Sequence, residues 1–100
     1  MPKQKPPELH AAVADYRRVN PDAYDHLADF AVCLAEELER IQAEDEELAP
    51  ADLDEMFAEP PDYECPDTAA IIHFMLGYVQ GTAAALGLRP ADLVRAVTTA

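Results

Sequence analysis

Apolar residues return at three- and four-residue steps through most of this 100-residue chain, and no stretch alternates singly as a half-buried strand would. Leu27, Phe30, Ala31, Leu34, Leu38 and Ile41 form the clearest stripe, with Asp29, Glu36, Glu37 and Arg40 outside it. That spacing predicts an amphipathic helix from Pro21 to about Glu47. Asn20 is a suitable N-cap and Pro21 fits the first turn, where its missing N–H is unpaired anyway. Ahead of it, Leu9, Ala12, Val13 and Tyr16 predict a helix that opens at Pro6 or Pro7 and stops near Val19, after a disordered tail over residues 1–5. Pro50 predicts a short helix carrying Leu53, Met56 and Phe57, and the three prolines of residues 59–66 (EPPDYECP) predict an extended loop.

The run from Asp67 to Leu88 is the most apolar in the chain and has no charged residue after its first. On a helix, Ile71, Ile72, Met75, Tyr78, Val79 and Leu86 share one broad side, while His73, Gly77, Gln80 and Ala84 share the other. The pattern predicts the central core helix, capped by Asp67 or Cys65 and ended by Gly87 in the left-handed conformation. Pro90 opens a last helix with Leu93, Val94 and Val97. The expected fold is all-α: a small antiparallel helical bundle of four or five helices in one domain spanning residues 6–100, with the 67–87 helix packed on the 21–41 helix.

Composition agrees with this reading. Ala, Leu and Glu dominate, glycine is scarce, and 50% of residues are hydrophobic, enough to close one core. Charge adds something the periodicity does not. The formal net charge is −13, and residues 36–67 hold fourteen acids against one base, Arg40, so the whole imbalance lies in one third of the chain. Such a field repels nucleic acid and anionic membrane and attracts basic surfaces. Cys33 and Cys65 make no CxxC pair, Cys33 reads as a small filler beside the core stripe, and the first residues, MPKQKPPE, lack an apolar secretion segment. A cytoplasmic location is expected.

Four candidate chemistries follow. Residues 69–88 have the length of a membrane span and contain Gly77-x-x-x-Gly81, but His73, Gln80 and Thr82 sit near the middle, and the flanks offer no basic cluster beyond Arg89 and no aromatic belt. A soluble helix is expected, with the glycines admitting another backbone. Val79, Ala83, Gly87, Leu88, Leu93 and Ala96 have helix-turn-helix spacing, but Arg89 and Arg95 are weak means of holding DNA on so acidic a chain. His10, His26 and His73 fall on three different predicted helices without an E-x-x-H motif, and no catalytic constellation or phosphate loop occurs, so neither enzyme activity nor a cofactor or metal is expected. The resemblance of Leu48–Leu53 to Leu88–Leu93 (L-x-P-A-D-L) reads as two similar helix starts.

The acidic window is the fourth. Glu44, Asp45, Glu46, Glu47, Asp52, Asp54, Glu55, Glu59, Asp62 and Glu64, interleaved with Phe57 and Tyr63, form the candidate partner-binding surface. The expected function is a non-enzymatic acidic protein-binding module engaging a basic or nucleic-acid-binding protein. In its sharpest form it is a nucleic-acid-mimicking inhibitor of the phage or plasmid anti-defence or immunity type. The alternatives are a dimeric helix-turn-helix regulator and a homo-oligomer, such as a homodimer, joined through His73, Gly77, Gln80, Gly81 and Ala84.

Overall fold

The computed structural model describes residues 7–98, and the side chains from residue 11 onward; the calls on residues 1–5, Pro6, Leu9 and His10 lie outside what it describes. Among the described residues there are five helices and no strand: α1 (Pro7–Val19), α2 (Pro21–Glu44), α3 (Leu53–Ala58), α4 (Pro66–Leu86) and α5 (Pro90–Thr98). The extents, 38 × 35 × 19 Å, are those of a slab two helices thick.

Prolines and one glycine punctuate the fold. Pro7, Pro21, Pro66 and Pro90 each stand first in a helix, where fixed φ helps and no N–H is missed. A single residue, Asn20, separates α1 from α2: its N–H donates to the Tyr16 carbonyl at 2.8 Å, and its own carbonyl accepts from Tyr24 at 2.9 Å. The Asn20 side chain makes no capping bond, contrary to expectation, because the backbone has already joined the two helices. Cys65 is the N-cap residue of α4. Gly87 ends that helix at φ 71°, its N–H donating to Ala84 and that of Leu88 to Ala83, a Schellman pair of bonds. The two L-x-P-A-D-L segments start their helices differently: Asp52 is the N-cap of α3, accepting from the Glu55 N–H at 2.9 Å, whereas Asp92 lies inside the first turn of α5.

The stripe of α2 is buried at Leu27, Ala31, Leu34 and Leu38, with Phe30 and Ile41 half-buried at its margin. Helix α2 ends at Glu44, a turn before the expected Glu47, and residues 45–50 form turns instead. The cause is electrostatic: its last turn carries no base, and the acids that follow oppose the negative end of the helix dipole.

One expectation is reversed. The nine-residue α5, not α4, lies at the centre: it packs against α1, α2, α3 and α4, and buries Ala91, Leu93, Val94, Ala96 and Val97. Helix α4 packs on α2 and α5 through Ile72, Met75, Leu76, Val79 and Ala83. Tyr78 donates to the Ala23 carbonyl at 3.4 Å and Phe74 meets Phe30 edge-on, so α4 runs antiparallel to α2. The opposite face of α4 is open: Ile71, expected in the core, is 58% exposed and Phe74 62%. Among the described residues outside the helix's own turns, nothing approaches within 4 Å of where a Cβ on Gly77 or Gly81 would stand, so no other described backbone uses the space the glycines leave. Cys33 is also exposed rather than packed as a filler.

Candidate partner-binding surface

The acidic window folds as the frayed end of α2, the short α3 and the proline-rich loop before α4. Gln42 organises its first bend. Its side-chain amide donates to the carbonyls of Pro50 at 2.9 Å and Ala51 at 3.1 Å, which folds residues 45–51 back along the end of α2. The Glu55 carboxylate accepts the Ala51 N–H, and the Leu48 N–H donates to Asp45 at 3.3 Å.

These bonds enclose an open cleft of about 670 Å³ between the end of α2 and the start of α3, lined by Gln42, Ala43, Ala49, Pro50 and the carboxylates Glu46, Glu47 and Glu55. No base lines it, and the last turn of α2 contains no lysine or arginine, Arg40 reaching Glu44 from the turn before. Three acidic residues and the end of a 24-residue helix thus border one concavity, the Glu55 carboxylate being engaged on the Ala51 N–H. Acids of one sign around an open concavity raise the local negative potential, which suits it to an ammonium or guanidinium group.

The proline-rich loop is held to α2 by a second cluster. Arg40 forks onto Glu37, at 2.8 and 2.7 Å, and reaches Glu44 at 2.9 Å. Tyr63 completes it by donating its hydroxyl to Glu37 at 2.6 Å. Arg40 holds the Glu37 carboxyl below its ordinary range, and burial, then the bond to Glu37, pushes the Tyr63 phenol up. Tyr63 is therefore half-buried and engaged within the chain.

The expected contact residues separate into three groups. Glu44, Asp45, Glu46, Glu47, Asp52, Glu55, Glu59, Asp62 and Glu64 are exposed. Asp54 is half-buried and pairs with Arg89 at 2.6 Å and Arg95 at 3.8 Å, tying α3 to α5. Phe57 is the correction: at 7% exposure it fills the core, because a six-residue helix resting on α5 must turn its apolar residues inward. It offers no anchor to a partner. Gln42 and the cleft-lining Ala49 and Pro50 were not among the sequence candidates; only the fold brings residues eight apart around one amide.

On the other side, His73, Gly77, Gln80, Gly81 and Ala84 are exposed together on α4, although the Gln80 amide is spent on the Phe57 carbonyl at 3.1 Å. The helix-turn-helix positions Val79, Ala83, Leu93 and Ala96 are buried, and Arg89 and Arg95 pair with Asp54 and Asp92. Among the described residues no three His, Cys, Asp or Glu side chains group closely enough to hold a metal ion. The chain matches no protein-family model, and comparison with curated proteins and with solved structures finds no match.

Proposed function

We propose that this protein is a non-enzymatic binding module whose acidic surface engages a basic protein, with the cleft between α2 and α3 receiving a lysine or arginine side chain. One observation carries the reading: Glu46, Glu47 and Glu55 line a single concavity at the C-terminal end of α2, and no base lines it. A solubilising acidic surface needs no such convergence. Around the cleft, Glu44, Asp45, Asp52, Glu59, Asp62 and Glu64 extend the negative field over the exposed loop. A surface of that sign and density suits proteins that otherwise hold phosphates, which is the nucleic-acid-mimic form of the proposal.

The helix-turn-helix alternative is less well supported, since α5, the helix that would enter the major groove, is packed on all four other helices. The test is affinity capture from the source cells at low salt with the wild-type chain and with a Glu46→Gln, Glu47→Gln variant, followed by competition with duplex DNA and RNA. The proposal expects a basic protein retained by the wild type, lost with the variant, and released by nucleic acid if the mimic form holds. Equal retention by both chains would refute it.

A further inference from the structure

We propose that the open face of α4 is a self-association surface, on which a second copy of this chain packs antiparallel about a twofold axis. The inference does not rest on the acidic-surface reading; it concerns the opposite chemistry.

At ~100° per residue, Ala70, Phe74, Gly77, Gly81, Ala84 and Ala85 fall within one exposed sector of α4, with Ile71 and Tyr78 on the flank toward α2. This sector has no charged side chain, on a protein whose net charge is −13. The two large apolar groups, Ile71 and Phe74, are 58% and 62% exposed and lie in the N-terminal half of the face. The C-terminal half is made of Gly81, Ala84 and Ala85, and the space above Gly77 and Gly81 is open.

That division makes the face complementary to itself only when reversed. With the axis between Gly77 and Tyr78, Phe74 of one copy lies over Gly81 of the other. The exposed ring then meets the open space above a glycine, twice over, as an isologous interface demands. A parallel pairing would set Phe74 on Phe74 and leave the small half unfilled.

The area of α4 alone is modest. Helix α4 has 21 residues, so its face is about 31 Å long and some 10–12 Å wide, or roughly 350 Å² per copy. That is less than half of the ~800 Å² per partner of a standard interface. The aromatic flank continues onto α2, however, where Phe30 meets both Phe74 and Tyr78 edge-on, at 5.7 and 5.0 Å between centroids, and His26 stacks on Phe30 at 6.5 Å. Contact along that flank adds to the area of α4, and the dimer it supports is a weak, concentration-dependent one.

The alternative occupant, a lipid surface, fits less well. Helix α4 is long and apolar enough to cross a bilayer, and only 28% of its most apolar window is buried. It nevertheless carries no lysine or arginine to meet anionic headgroups, on a chain that such a surface repels.

Sedimentation velocity on the full chain, from about 1 to 100 μM, should show a reversible dimer, the range in which a modest interface is populated. Gly81→Leu fills the space that receives Phe74 and should abolish the dimer, while leaving the monomer folded and no less thermally stable, since leucine is the better helix former. Phe74→Ala should weaken the dimer, and combining it with Gly81→Phe, which exchanges large and small, should restore it. A monomer at every concentration, a dimer indifferent to Gly81→Leu, or monomeric chains that co-sediment with phospholipid vesicles would each overturn the proposal.

Discussion

Leu93→Ala should be among the most damaging single truncations in this protein. Leu93 is fully buried in α5, the helix on which α1, α2, α3 and α4 all rest. The change removes three carbons; at ~0.8 kcal/mol per buried CH₂ their transfer accounts for about 2.4 kcal/mol. A cavity shared among helices can collapse only partly, which brings the expected loss to about 3–5 kcal/mol. Against a stability of roughly 5–15 kcal/mol for a domain of this size, that is about a fifth of the total or more. Urea denaturation followed by circular dichroism should show a lower midpoint with an unchanged slope, and the thermal midpoint should fall by more than about 10 °C. Leu48→Ala is the control. It removes the same atoms from a residue 84% exposed in the turn after α2, and should cost no more than ~0.5 kcal/mol. A Leu93→Ala loss below about 1 kcal/mol, or equal effects at the two leucines, would refute the placement of α5 at the centre.

Gly87→Ala should destabilise by about 1–2 kcal/mol, because the left-handed turn at φ 71° strains any residue with a Cβ; the same denaturation series checks it, and no loss would deny the α4 terminus its geometry. Tyr63→Phe should lose about 0.5–1.5 kcal/mol with the bond to Glu37, and alkaline absorbance titration of the wild type should show a late-ionising phenol that the variant lacks. Arg40→Gln supplies the pH test. Arg40 holds the Glu37 carboxyl below its ordinary 4.5, so the stabilisation is complete above about pH 4.5 and disappears as pH falls through the lower folded value. The gap in denaturation midpoint between wild type and variant should therefore close toward acid, and a gap that widened would reverse the sign of the coupling.

Much of the fold was legible because it depends on local rules. The α2 stripe, the prolines that open four helices and the glycine that ends α4 all act within a turn or two of their own position. The order of burial was not legible. Helix α4 is apolar nearly all round, so its composition cannot tell which side is covered, and Ile71 and Ile72, adjacent and equally hydrophobic, part to 58% and 6% exposure. The short α5 buries more fully because its neighbours are supplied by distant segments. In the candidate surface, the exposure of residues 44–47 follows from their position at and just beyond the end of a helix. The inward turn of Phe57 and the bridging role of Gln42 depend on tertiary contacts that no spacing encodes.

The central claim is that the acidic surface captures a basic partner by its charge. Its most direct test is the association rate of the captured partner with the wild-type chain and with a variant carrying amides at Glu44, Asp45, Glu46 and Glu47, measured across a series of salt concentrations. All four are exposed, so the variant should remain folded. The account predicts a wild-type rate that falls steeply as salt rises and a variant rate that is slower at low salt and nearly flat, with smaller changes in dissociation. Identical rates for the two chains, indifferent to salt, would contradict it.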